Sequence, residues 1–223
     1  PTLEQYENAG KISFEAKIAG KTLSGAQPAI NASFSCDSAY FSNPTSKKQL
    51  EEISFSGSFT NGASRDFTTM EFHLENMTAK PEAGTFEANL SVVDFEAPEI
   101  DLTINSNFNL DFLVKFLNIT DLREVNGDVS LEMRFRDIVD LQNPEKSLEE
   151  FNKSYFSELN VEDLTFFLPN YHLKFDSIDL RVTMDGNQAN IEYLFMNIGN
   201  SDITQNGHID DLPAIVHQPH DSI

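Results

Sequence analysis

Along most of this chain apolar and polar residues alternate. In GTFEANLSVVDF, residues 84–95, Phe86, Ala88, Leu90 and Val92 stand against Thr85, Glu87, Asn89 and Ser91. A period of two is the pattern of a β-strand with one apolar face. Segments of this kind recur every 10 to 15 residues: KISFEAKIA, AINASFSC, EISFSGSFT, MEFHLENM, TFEANLSVV, EIDLTIN, GDVSLEMRF, HLKFDSIDLRVTM and ANIEYLFM. The intervals are too short for parallel crossovers, so neighbouring strands are expected to be antiparallel. TNGASRD, PEAGT, VNGD and DGNQ separate them, with Asn-Gly and Asp-Gly suited to tight hairpins. The expected fold class is all-β, mainly antiparallel, with two short helices.

The helices are expected where the period changes. In NLDFLVKFLN, Leu110, Leu113 and Leu117 with Phe112 and Phe116 follow helical spacing, Asn109 can cap the start and Asp111 complements the helix dipole. This predicts a helix near 109–118. In NPEKSLEEFNKSYF, Asn143 as cap, Pro144 at the first position and Leu148, Phe151 and Tyr155 predict a second near 144–156. Helices this short need tertiary packing, so both are expected to close a sheet end.

Alternation assigns Phe72 and Leu74, then Phe86, Ala88, Leu90 and Val92, then Leu131, Met133 and Phe135, then Leu180, Val182 and Met184 to the apolar faces of their strands. If MEFHLENM and TFEANLSVV pair as a hairpin, Phe72, Leu74, Phe86, Leu90 and Val92 share one surface. Val93 and Phe95 fall out of phase with Val92, which predicts a bulge or the strand's end between Val92 and Asp94. The pattern leaves open what such a face meets. Packing on a second sheet would make a closed sandwich, and a single sheet folded into a gutter would make a concave apolar surface. Because large exposed apolar patches are uncommon on monomers, the residue pattern alone favours the sandwich.

Strand, Gly turn, strand, Gly turn, strand runs from Leu50 to Phe95 and again from Leu173 to Ile209, a similarity that either a duplicated β-meander or the general grammar of hairpins explains. The reading is a single β-rich region over 1–223, divisible into two repeats at about 11–137 and 158–212, with a disordered tail at 213–223.

Composition narrows the function. With 223 residues and 39% hydrophobic content, 19 of them Phe, the chain can fill a core. Its 15 basic and 36 acidic residues give a net charge of −21, which repels nucleic acid and disfavours direct adhesion to an anionic bilayer. The single cysteine, Cys36, cannot form an internal disulfide and lies on an alternating apolar face, where a small buried side chain is expected. No signal peptide is evident, and no apolar run approaches the roughly 18 residues that span a bilayer. The chain opens at Pro1 without a Met, as a processed or excised piece would.

Catalytic chemistry finds little support. His73, His172 and His208 are scattered, and His217 and His220 in HQPH form a chance pair rather than a metal site. Asp94 with Glu96, and Asp210 with Asp211, are adjacent acids in an acid-rich chain, whereas glycosidase work needs two converging from separate elements. There is no Gly-x-Ser-x-Gly elbow, phosphate loop or dinucleotide fingerprint. Neither enzyme activity nor a cofactor nor a metal is expected. The five Asn-x-Ser/Thr sequons, at Asn31, Asn76, Asn89, Asn118 and Asn152, read as a product of Asn- and Ser-rich composition.

One long stretch carries a resemblance. LTFFLPNYHLKFDSIDLRVTMDGNQANIEYLFMNIGNSDITQNGHIDDL resembles the repeat of AsmA-like envelope proteins, in which an apolar strand and a Gly turn lead into a Gly-x-Ser-Asp step, a short strand, a Gly and an acidic or Asn-Leu ending. Those positions are Gly199, Ser201, Asp202, Gly207 and Asp211-Leu212. GTFEANLSVVDFEAPEIDLTINSNFNLDFLVKFLNITDLREVNGDVSLEMRF is similar to the family's middle region of strand, strand, helix and Gly-x-Val strand, so the resemblance covers roughly residues 50 to 212. Ala83-Gly84-Thr85 departs from it in lacking the Ser-Asp step, and Thr204, Gln205 and Asn206 are polar where the family alternates with apolar residues.

The resemblance implies an elongated, curved β-sheet whose apolar groove carries phospholipid acyl chains, and so reverses the preference for a sandwich. It implies a non-catalytic periplasmic protein, anchored in the inner membrane by a segment outside this chain, that serves outer-membrane lipid homeostasis or biogenesis. The twelve apolar-face residues named above would then contact lipid. The other class that the residues admit is an extracellular β-sandwich acting as an adhesion or glycan-binding module, which the absence of Trp disfavours.

Overall fold

The computed structural model describes residues 6–21, 27–138, 155–186 and 188–210. Eleven strands follow one another: β1 (Glu7–Ala19), β2 (Ala29–Ser42), β3 (Gln49–Thr60), β4 (Glu71–Pro81), β5 (Thr85–Val93), β6 (Glu99–Asn109), β7 (Arg123–Ile138), β8 (Tyr155–Leu168), β9 (Leu173–Asp185), β10 (Gln188–Ile198) and β11 (Ser201–Ile209). All are antiparallel to their neighbours and lie in sequence order in one open, curved sheet. The described strands therefore form one layer, and the facing sheet of a sandwich is not among them.

Curvature has a local cause. Register slips occur between β1 and β2, β2 and β3, β3 and β4, and β4 and β5, and again along β7 to β11, while β5, β6 and β7 pair without interruption. At these slips non-glycine residues take left-handed backbone conformations: Ser38 (φ 53°), Glu52 (51°), Asn76 (52°), Glu124 (52°), Asp163 (50°) and Ser177 (50°). Each is a bulge, which bends its strand and increases the twist. At three of them a side chain from the next strand accepts the bulge N–H: Ser54 Oγ from Ser38 at 3.2 Å, Asn89 Oδ1 from Asn76 at 2.8 Å and Asp179 Oδ1 from Asp163 at 2.8 Å.

The bulges also explain a strand that alternation did not reveal. In YFSELNVEDLTFFL the apolar phase runs Tyr155, Leu159, Val161 and then Leu164, Phe166, Leu168, because the bulge at Asp163 inserts one residue. Tyr155 and Phe156, expected at the end of a second helix, instead begin β8, where Tyr155 pairs with Phe135. The rest of that helix, 144–154, lies outside the described residues, as do the tail at 213–223 and the Asp211-Leu212 ending. The polar β11 is also a strand, since Ser201–Ile209 pairs with β10 through backbone that does not depend on side-chain polarity. β5 ends at Val93, and Asp94 follows with φ 61°, its carboxylate accepting from the N–H groups of Glu96 and Ala97.

The helix expected near 109–118 is α1 (Leu110–Phe116). Asn109 caps it by accepting from the Asp111 N–H, and Phe112 and Val114 are buried as it packs on β7 and β6. Its far end reaches the first strands. Asn43, 1% exposed in the β2–β3 turn, donates to the carbonyls of Lys115 (3.3 Å) and Phe116 (2.7 Å) while accepting from the N–H groups of Thr45 and Ser46. Tyr6, just before β1, donates to the Phe116 carbonyl at 3.0 Å and packs its ring 5.0 Å from that of Phe116. In a flat sheet the start of β1 would stand about 24 Å from β6, at about 4.8 Å per strand. A seven-residue helix spans about 10 Å. These contacts therefore require the first strands to curl toward the sixth, with α1 lying in the hollow.

Asn43→Ala removes both bonds to the α1 carbonyls and leaves buried polar groups without partners. It is expected to destabilise the fold by about 1–3 kcal/mol, lowering the thermal midpoint by about 2–4 °C per kcal/mol. The exposed Asn31→Ala should leave the midpoint unchanged. Equal midpoints for Asn43→Ala and the parent would show that the Asn43 bridge does not hold the curl.

Candidate functional site

Directly paired residues of adjacent strands share a face, so the register traces rows across the sheet. One row runs Cys36, Phe55, with Met77 following across the bulges, then Ala88, Ile104, Met133, Ser157, Met184, Ala189 and Ile209. Beside it runs Ala79, Phe86, Ser106, Leu131, Leu159, Val182 and Ile191. On the other side lie Phe14, Phe34, Gly57, Leu74, Leu90, Leu102, Phe135 and Tyr155. Ala32, Phe59, Phe72, Val92 and Ile100 form a fourth row. Val129, Val161, Leu180 and Leu194 form a fifth. All twelve residues assigned from alternation thus occupy one face: Phe72, Leu74, Phe86, Ala88, Leu90, Val92, Leu131, Met133, Phe135, Leu180, Val182 and Met184.

This face is half open. Of the twelve, Ala88 is buried and the other eleven are partly exposed. The buried residues of the rows are mostly small, Cys36, Ala79, Ala88, Ser106, Ser157 and Ala189 with Val161, and the pair Ala39 and Ile53 between the slips of β2 and β3 is buried beside them. Taller neighbours on the same sheet suffice to shield small side chains. A second layer would bury the large ones, and here the buried Phe is Phe112 on α1. Phe41, Leu50, Phe55 and Phe86 pack against a buried cluster of Cys36, Ala39, Ile53 and Ala79.

Sequence reasoning missed several members. Phe34 stacks on Phe72 with centroids 5.8 Å apart and meets Phe55 edge-on at 6.3 Å. It reaches Phe72 by lying across Gly57, where a Cβ would fall 2.3 Å from the Phe34 ring. Phe166 and Phe175 stack at 4.6 Å on β8 and β9. Phase slips at the bulges hid Ile53, Met77, Leu164 and Phe166, and a rule allowing one skipped residue would have found them. The opposite face carries Glu87, Asn89, Thr103, Asn105, Glu132 and Arg134. On it Arg181 pairs with Glu158 and Glu192 at 2.7 and 3.4 Å.

Charge is concentrated where α1 meets the β2–β3 turn. Lys48 bonds Glu82 at 2.8 Å and Asp111 at 3.2 Å, and Asp111 also bonds Lys115 at 2.6 Å. Desolvation pushes the Asp111 carboxyl up, but hydrogen bonds from Lys115 and Lys48 outweigh it and hold the group below its usual value. The Glu82 hydrogen bond, opposed by desolvation and helped by Asp111, holds Lys48 above its usual value. Beside this cluster a cleft is lined by Lys115, Asn118, Thr120 and Arg123 over Val114 and Val125. No group of three His, Cys, Asp or Glu among the described residues is placed to hold a metal, and Cys36 is buried with its sulfur 3.8 Å from the Ile53 carbonyl.

A carboxyl with a depressed folded pKa stabilises above its unfolded value, near 3.9, and loses that contribution as pH falls through the folded value. The stability gap between the parent and Asp111→Asn is therefore expected at neutral pH and should close below about pH 4. Thermal melts across that range measure it. A gap that is absent at neutral pH, or that persists in acid, would show that the Asp111 charge does not secure α1.

Comparison with protein-family models, with curated proteins and with solved structures finds no match for this chain.

Proposed function

We propose that this chain is a non-catalytic lipid-binding segment, holding phospholipid acyl chains along the apolar face of its curved sheet. One observation carries the reading: across eleven strands a continuous set of large apolar side chains stays partly exposed on a single face, without a second layer among the described strands. Such a surface is costly in water, and covering it with methylene chains offsets the cost by about 0.8 kcal/mol per CH₂. Acyl chains suit this face because its rows carry no charged side chain and are mostly Phe, Leu, Ile, Val and Met interrupted by small residues, with the Tyr155 hydroxyl turned onto Ser157 Oγ at 2.9 Å. The polar opposite face and the net charge of −21 keep the other side hydrated.

The resemblance to AsmA-like proteins gives this reading its setting: a periplasmic location, an inner-membrane anchor outside this chain, and a part in outer-membrane lipid homeostasis or biogenesis. Among the described residues no helix is long and apolar enough to cross a membrane.

Mass spectrometry of an organic extract of the purified protein tests the proposal, with phospholipid expected in the parent. Leu90→Arg places a cation on the lipid-bearing face, yet on an open face its long side chain can reach solvent, so folding should survive while lipid occupancy falls severalfold. Glu87→Arg, on the polar face, should keep both. A parent that carries no lipid, and a Leu90→Arg variant that fails to fold, would together overturn the proposal, because a closed core is where an unpaired charge unfolds the domain.

A further inference from the structure

The apolar rows stop abruptly at one edge of the sheet. Ile12, Phe14 and Ile18 of β1 lie on the apolar face and are 72%, 70% and 65% exposed, while their partners Cys36, Phe34 and Ile30 are buried or partly buried. Among the described residues β1 pairs with β2 alone, and no other described strand bonds the backbone groups along its other side. Natural edge strands are blunted by Pro, by charged side chains, by bulges, by inward-pointing charge or by shortness, and here the charges of Lys11, Glu15 and Lys17 lie on the polar side with both signs present. This one has 13 residues, no Pro, and Asn8, Ile12, Phe14, Ala16 and Ile18 on the apolar side.

We propose that β1 is a dimerisation edge, pairing antiparallel with β1 of a second copy about a two-fold axis through Ser13. An antiparallel pair related by a two-fold must set one residue opposite itself, which leaves few registers. With Lys11 or Glu15 at the axis, like charges face each other, and with Phe14 there Lys11 meets Lys17 of the second copy. With Ile12 at the axis Phe14 meets Gly10. With Ala16 at the axis Glu15 meets Lys17 and Phe14 meets Ile18, but only Ser13–Ala19 of the strand overlaps its mate. With Ser13 at the axis Lys11 lies opposite Glu15 and Ile12 opposite Phe14, each pair occurring twice, and all 13 residues of the strand are paired, so charge, apolar contact and length of overlap together select this register. The two-fold runs perpendicular to the sheet, so both apolar faces stay on one side and form a continuous surface across both copies. The other edge is a poorer partner: β11 offers Ile203, Gln205 and Gly207 to the apolar face, and it runs parallel to β1.

The inference concerns the edge and does not depend on what the apolar face holds. Light scattering coupled to size exclusion should give the purified full chain twice its 25.1 kDa. Lys11→Glu and Glu15→Lys each set like charges opposite each other and should weaken association about tenfold or more. Combining them restores opposite charges and should restore the dimer. Lys11 and Glu15 are both exposed, so each variant should fold, which circular dichroism checks. Ser13→Cys should form an intermolecular disulfide on mild oxidation, since Cys36 is buried. A monomeric parent, a dimer indifferent to the charge reversals, or a double variant that stays monomeric would overturn the proposal.

Discussion

Everything in this molecule depends on keeping one set of side chains on one face while the strands bend. A strand's side chains alternate strictly, so an inserted residue sends every later side chain to the wrong face unless the sequence slips phase with it. Here the sequence does slip. β2 passes from Phe34 and Cys36 to Ala39 and Phe41, β3 from Leu50 to Ile53 and Phe55, β4 from Phe72 and Leu74 to Met77 and Ala79, and β8 from Val161 to Leu164. At each step the bend and the polarity of the face are preserved together. Left-handed backbone at residues such as Asn76 and Asp163 is unfavourable in isolation, and the neighbouring strands offset it by satisfying the displaced N–H groups.

The bulges fall in two groups, on β2 to β4 and on β7 to β10, flanking the regular β5–β6–β7 pairing. Curling of the first group brings Tyr6 and Asn43 onto the end of α1. The helix is too short to be stable alone. It is held by Asn109 at its start, by Asn43 and Tyr6 at its end, and by Lys48 at Asp111. Asn61 plays a similar part at the opposite end of the sheet, accepting from the Ile30 N–H and donating to the Pro28 carbonyl. Buried amides thus close both ends of the first hairpins, while the apolar face between them remains open.

This division of labour fits the proposed binding of acyl chains rather than of compact ligands. A face built from rows of Phe, Leu, Val and Met differs from the usual small-molecule site, a concave pocket with a few converging polar groups. Its selectivity would be for length and apolarity. Small residues within the rows, Gly57, Ala88, Ser157 and Ala189, lower the surface locally and let neighbouring rings tilt across, as Phe34 does over Gly57.

By itself the sequence determined the strand class, the antiparallel order, the capped helix α1 and the membership of the apolar face, because each is a local property: a period of two, a turn residue, a cap three positions from its apolar partner. It concealed β8 and part of the face wherever a bulge broke the period, and it marked β11 only as the third strand of a repeated meander, without apolar alternation, because polar side chains can sit on a backbone ladder. Whether the apolar face would meet a second sheet, a helix or solvent was not a local matter. That was decided by the sum of many small bends, which curled the first strands onto α1 and left the large side chains of one continuous layer partly uncovered. Alternation records which residues must face the same way, and only the tertiary structure sets how far the sheet turns and what comes to lie against it.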